Sequence, residues 1–298
     1  MSQSNPIVQL PHRKSRASLF ALALALLFAT SAQATTVSPN TGSLGASAHG
    51  VNADAVTFGP GVVTGGGDQA AFYNEATGTT TVVNHQAALN PPNSSPFTIE
   101  FWAKPTETDN DDAPVSNRNA TDANRSGWVF FQRAAGWNFR TYNGSGSAVG
   151  WDLTGGTSNL NEWSHVVATW DGTGAGTARL FVNGVLADDT NSGPGGYNAS
   201  STANLILAAS DTGSPYLGWV DEVAFYDKVL SDAQILAHFN AAASPTAGLY
   251  HNLIRSDGAL LQLSNNAVPE PSTVALLSAG ALLLFRRRTA KTSPQISI

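Results

Sequence analysis

The sequence predicts an all-β fold, two antiparallel sheets packed as a sandwich, and three observations carry that prediction. Ten runs alternate apolar and polar residues and are separated by clusters of Gly, Asn, Asp and Ser. Only one segment, 231–239, has helical spacing. Asn183-Gly184 stands between RLFV and VLAD, where a two-residue type I′ turn needs positive φ at both positions. The roughly 230 residues between the terminal apolar segments suffice for one large β domain.

Taken in order, the strand candidates are QAAFYN (69–74), TTTVV (79–83), FTIEFWAK (97–104), GWVFFQR (127–133) and WNFRTYN (137–143). VGWDLT (149–154), WSHVVATWD (163–171), ARLFVNG (178–184), LILAAS (205–210) and YLGWVDEVAFYD (216–227) follow. The helix opens on Ser231 and Gln234 placed as a capping box, and Ile235, Leu236 and Phe239 make its apolar face. Residues 35–50, rich in Ser, Thr and Gly, read as a flexible segment, 51–243 as the domain and 244–267 as a linker. No internal repeat is present.

Both ends carry addresses. His12, Arg13, Lys14 and Arg16 precede the apolar run Ala17–Ala29, and Ser31-Ala32-Gln33-Ala34 supplies a small-x-small site for signal peptidase, so residues 1–34 read as a secretory signal. Near the other end, Pro269, Glu270 and Pro271 precede an apolar run, Ser272–Phe285, which is followed by Arg286, Arg287 and Arg288. As a helix that run reaches about 21 Å against a hydrocarbon core of about 30 Å, a short membrane span. The arginines act as a positive-inside stop. Residues 268–298 resemble a PEP-CTERM sorting signal of Gram-negative bacteria. The resemblance implies processing by an exosortase and delivery to the cell envelope, cell surface or an exopolysaccharide matrix after transient membrane anchoring.

Between Thr35 and Ala267, eight basic residues face twenty acidic ones, a balance of −12. Such a surface repels phosphate backbones, which excludes nucleic acid as a partner, and anionic lipid, which leaves the C-terminal helix as the contact with membrane. Cysteine is absent, so export brings no disulfide framework and stability must come from a core or a metal.

The middle of the chain resembles the laminin-G-like, concanavalin A-like jelly-roll family. Phe97-Thr98-Ile99-Glu100-Phe101-Trp102 is similar to its early strand. Trp163-Ser164-His165-Val166-Val167-Ala168 with Trp170-Asp171-Gly172 is similar to its central strand, and Leu180-Phe181-Val182-Asn183-Gly184 to its next hairpin. Gly218-Trp219-Val220-Asp221-Glu222-Val223 with Tyr226 and Leu230-Ser231 resembles the closing strand and helix. The resemblance implies a jelly roll with one short helix. At the front, Ala71-Phe72-Tyr73-Asn74 and Thr79-Thr80-Thr81-Val82 depart from the family pattern.

Chemistry is poorly represented. Retaining glucanases of this superfold need two carboxylates about 5–5.5 Å apart, but no pair of glutamates has the spacing that puts both on one strand face, and Glu100 stands alone. Asp221 and Glu222 are adjacent, so strict alternation points them apart. Gly144-Ser145-Gly146-Ser147 has no following helix to make a nucleophile elbow. His165 reads as a hydrogen-bonded structural residue, and His49, His85, His238 and His251 lack zinc-ligand spacing. Asp109-Asn110-Asp111-Asp112 lacks the Gly and Glu of an EF-hand and reads as a solvated loop.

Two candidate sites remain. Alternation puts Asp221 beside Trp219, Val223 and Phe225 on the core-facing side, where a buried carboxylate needs a partner. Structural calcium, which the family resemblance also implies, and backbone N–H groups are the two candidates. Trp102, Trp163, Trp170 and Trp219 fall inside strand runs and read as core, whereas Trp128, Trp137 and Trp151 start strands beside glycine. Trp137, Asn138, Tyr142, Asn143, Trp151 and Asp152 are therefore a candidate sugar site, with rings to stack and polar groups for hydroxyls. Packing at sheet edges accounts for the same spacing. The resulting expectation is an exported noncatalytic recognition module for carbohydrate or matrix polymer, the alternatives being a structural matrix protein or a glycoside hydrolase.

Overall fold

The computed structural model describes residues 36–263, apart from 65–66, 108–110, 121–122, 174–176, 191–195, 201 and 247. The expected signal peptide and the sorting segment lie outside the described residues. Within them no helix is long and apolar enough to cross a membrane.

Two antiparallel eight-stranded sheets form a jelly-roll sandwich. The first sheet contains β1 (Val37–Ser38), β2 (Gly50–Asn52), β5 (Thr81–Val83), β7 (Val115–Asn119), β8 (Ser126–Arg133), β9 (Gly136–Tyr142), β10 (Val149–Gly155) and β14 (Leu205–Leu207). Its order is β1-β2-β5-β14-β7-β8-β9-β10. The second contains β3 (Thr57–Pro60), β4 (Gln69–Tyr73), β6 (Phe97–Pro105), β11 (Ser164–Trp170), β12 (Ala178–Val182), β13 (Val185–Thr190), β15 (Gly218–Tyr226) and β16 (Leu261–Leu263). Its order is β13-β12-β11-β6-β15-β4-β3, with β16 pairing the far half of β15.

Alternation builds the core. Phe97, Ile99, Phe101 and Ala103 of β6 meet Trp128, Phe130, Trp137, Phe139 and Trp151 across the sandwich, with all of these side chains buried. Phe101 meets Phe130 edge-on at 4.8 Å between ring centroids. Asn183 and Gly184 take φ of 53° and 76°, as the type I′ turn between β12 and β13 requires.

A second apolar layer covers part of the outer face of the second sheet. Helix α1 (Asp232–Ala242) starts with the capping box of Ser231 and Gln234, and α2 (Leu249–Ser256) packs beside it. Ile235, Tyr250 and Ile254 bury against Trp102, Val167, Phe181 and Tyr226. The stretch expected as a linker, 244–267, is part of the domain where it is described, supplying α2 and β16. The N-terminal segment is also built in rather than loose, since β1 pairs β2 and Asn40 bridges to Leu263. Period-two reasoning missed these pieces because β1 and β16 have only two and three residues, too few to show a period.

Candidate functional site

The outer face of the second sheet is divided. On β6 it carries Thr98, Glu100, Trp102 and Lys104 in sequence; Lys228 and Leu230, just before α1, cover Thr98, and the helices cover Glu100 and Trp102. Glu100 is fully buried. His165 Nε2 donates to its Oε2 at 2.9 Å, His238 Nδ1 lies 3.1 Å from both oxygens, and the Tyr226 hydroxyl donates to Oε1. His238 Nε2 in turn reaches Asp257 Oδ2 at 2.9 Å, so one imidazole ties β6 to the end of α2. Burial alone would raise the Glu100 carboxyl, but the charge of His238 and the hydrogen bonds from both histidines outweigh it and hold the group well below its usual range. Burial likewise lowers His238, and Glu100 and Asp257 reverse that, leaving it raised. Glu100, His165 and His238 are closed to solvent, and the network fastens the helices to the sheet.

Beyond Trp102 the face is uncovered, and strand register aligns a row on it. Trp219 of β15 is directly opposite Phe72 of β4 on one side and Lys104 of β6 on the other. Trp163 precedes Ser164, the partner of Ala103, and so continues the row past Lys104. All four side chains are partly exposed. Phe72 and Trp219 lie 4.9 Å apart between centroids, and Lys104 Nζ sits 5.0 Å from the Trp163 ring and 5.3 Å from the Trp219 ring. Gly59 lies against the Trp219 ring, where an added Cβ would be 2.5 Å from the indole. Among the described residues no carboxylate forms an ion pair with Lys104.

This row corrects two expectations. Trp163 and Trp219 are not core, and Asp221 does not share a face with Val223 and Phe225. The cause is a β-bulge in β15 between Asp221 and Ala224, with Glu222 at φ 49°. Before the bulge Trp219 and Asp221 point outward; after it Val223 and Phe225 point into the core.

Beside the row lies a buried acidic cluster. Asp221 Oδ2 accepts from the Val62 N–H at 2.9 Å and its Oδ1 from the Glu222 N–H at 3.0 Å. Asp68 Oδ2 accepts from Val63 N–H at 2.9 Å, and His251 Nε2 lies 2.8 Å from Glu222 Oε1. Burial, with Glu222 and Asp68 adding like charge, raises Asp221 well above the usual carboxylate range. Burial pushes Glu222 up to about 7 against the pull of His251. A Cβ on Gly61 would collide with the Asp68 and Asp221 carboxylates, so glycine is what lets the strand end cross here. Calcium, implied for Asp221, takes six to eight oxygens. Both Asp221 oxygens already accept a backbone N–H, and the carboxylate oxygens left without a partner are Asp68 Oδ1 and Glu222 Oε2, beside an imidazole. That donor set does not fit calcium.

The sugar site expected around Trp137 is not assembled. Trp137 and Trp151 are 0% and 2% exposed and face the core, so neither offers a ring to a ligand. They occupy the inward positions of β9 and β10, a phase their sequence neighbours do not reveal. Asn138 is buried and donates to Asp152 Oδ1 at 2.7 Å and to the Leu153 carbonyl at 2.8 Å. Tyr142 is buried and accepts from Arg118 at 3.1 Å, while Asn143 accepts from the Ser145 N–H in a turn. Asp152 pairs with Arg140 at 2.8 Å; burial opposes, but this pairing and the Asn138 bond hold its carboxyl low. Asp111, expected in a solvated loop, pairs with Arg133. A shallow groove of about 220 Å³ on this sheet, lined by Arg118, Asn119, Thr202, Asn204 and Asp211, contains no aromatic ring.

Comparisons with known proteins place the fold. No curated protein matches the sequence. Among solved structures, the binding domain of a paraclostridial mosquitocidal protein is 14% identical, with 69% of this chain covering 52% of that one at a TM-score of 0.47. Domain 4 of an extracellular GH43 arabinanase from Geobacillus stearothermophilus, solved with arabinotriose, is 14% identical, with 70% of this chain covering 98% of it at 0.48. The binding domain of botulinum neurotoxin serotype G is 14% identical, with coverages of 68% and 50% at 0.49. The chain therefore spans about half the length of the two toxin domains. Residues 267–288 match the PEP-CTERM protein-sorting motif, which implies export and exosortase processing. Residues 75–236 match a family model that takes in strands of both sheets and more than half of the sequence, and the chain belongs to the concanavalin A-like lectin/glucanases superfamily.

Proposed function

We propose that the protein is an exported, noncatalytic recognition module that holds a polysaccharide of the cell envelope or matrix against the row Phe72, Trp219, Lys104 and Trp163. The observation that carries this reading is the row itself: three rings left partly exposed on a sheet face that the helices cover only in part. Sugar rings present C–H faces that pack on aromatic faces. Trp163 and Trp219 are two strands apart, about 10 Å, enough for a chain of linked sugars to touch both. Lys104 adds a charge suited to sugars bearing carboxylates.

Two readouts test this. Five tryptophans are buried and two are not, so a soluble quencher should reach only Trp163 and Trp219. Bound polysaccharide should remove that accessible fraction. Unchanged quenching with every polysaccharide tried would favour a structural matrix protein. For the tail, replacing Arg286, Arg287 and Arg288 by Gln is expected to impair sorting, measured as precursor accumulation against processed protein; normal processing would refute the role given to the arginines.

A further inference from the structure

We propose that Asp68, Glu222 and His251 form a binding site for a divalent ion of the zinc type. Three segments far apart in sequence converge there: the loop between β3 and β4, the bulge of β15, and α2. One ligand atom from each lies within 4.8 Å of the others. The independent sign of a missing ligand is the pair of unpartnered oxygens. Asp68 is 7% exposed and Glu222 1%, yet Asp68 Oδ1 and Glu222 Oε2 have no hydrogen-bond partner. The Gln262 side-chain amide lies beside Glu222 and favours its charged form, and its Oε1 is held by Thr41.

Charge balance points the same way. Asp68, Asp221 and Glu222 are three buried carboxylates, and His251 is the one cationic side chain within hydrogen-bond reach of them among the described residues. Buried carboxylates are neutralised either by protons or by a bound cation, and a divalent ion that displaces the protons supplies the charge. The kind of ion follows from the donors. An imidazole with two carboxylates is a set that zinc accepts, whereas calcium takes oxygen alone. His251 belongs to α2 and, like Asp68, lies outside the 75–236 span of the family match. Sequence spacing could not disclose it, because 154 and 29 residues separate the ligands along the chain. The ion would clamp α2 to the loop that follows Gly59, beneath Trp219. The inference does not depend on the polysaccharide reading.

The test is calorimetric titration of the chelator-treated protein with zinc and, separately, with calcium. The expected result is one zinc per chain, a thermal midpoint raised by roughly 5–10 °C at a hundredfold excess over Kd, and no comparable effect of calcium. His251→Gln, on a partly exposed helix position, should abolish tight zinc binding while leaving the fold intact by circular dichroism; Glu222→Gln should weaken it at least tenfold. Replacing His49 and His85 should change nothing. Zinc binding unaltered in His251→Gln, calcium binding of equal strength, or no zinc binding to the wild-type protein would each overturn the assignment.

Discussion

Glu100→Ala is expected to lower the stability of the domain by about 3–5 kcal/mol, the usual cost of breaking a buried ion pair by removing one partner. For a domain of this size that is a fall of roughly 10 °C or more in Tm. The carboxylate is fully buried, and its loss leaves the His165 and Tyr226 donors without an acceptor while His238 keeps only Asp257. Glu100→Gln keeps part of the hydrogen bonding and should cost less. Thermal unfolding followed by circular dichroism measures both.

The same pair sets a pH dependence. Because the folded pKa of His238 is raised above its ordinary 6.5, its contribution is complete below that value and is lost as pH rises through the folded pKa. Glu100 is depressed below its ordinary 4.5, so its contribution is present above that value and lost as pH falls. The pair therefore stabilises most between about 4.5 and 6.5. Stability should decline toward alkaline pH, and Glu100→Gln should shrink that decline because the carboxylate is what favours the proton on His238.

Trp137→Ala is expected to cost about 3–5 kcal/mol through lost burial and the cavity left between the sheets. The ring packs 6.3 Å from Phe101 between centroids, and its indole N–H finds no partner. Trp137→Phe, which removes that unsatisfied donor, should cost far less. Denaturant unfolding of the two variants separates a core residue from a ligand residue: a binding defect with unchanged stability in Trp137→Ala would restore the site expected from the sequence.

The β architecture was legible because Phe97–Ala103, Ser164–Trp170 and the Asn183-Gly184 turn each obey a local rule. The capping box of Ser231 and Gln234 was legible for the same reason. The aromatic row was not. Its phase depends on the bulge at Glu222, which inserts a residue and reverses the facing of everything that follows, and no side-chain pattern announces that. Trp163 and Trp219 sit in apolar strands and so read as core, yet whether an outward position is covered depends on where α1 and α2 stop. Trp128, Trp137 and Trp151 start strands beside glycines, where sequence leaves their facing open, and the second sheet closes over them. Glu100 looked isolated because its partners are 65 and 138 residues away.

The central claim is that the partly exposed indoles, and not the buried ones, meet a polysaccharide. The most direct measurement is the affinity of the purified protein for a panel of neutral and acidic polysaccharides, comparing wild type, the Trp163→Ala/Trp219→Ala double variant and Trp137→Phe. Aromatic contacts contribute about 0.5–1.5 kcal/mol each beyond their area, so losing two should weaken binding about tenfold or more. The account predicts that loss in the double variant with an unchanged unfolding curve, and near wild-type binding in Trp137→Phe. Full affinity in the double variant, or no affinity of the wild-type protein for any polysaccharide, would contradict it.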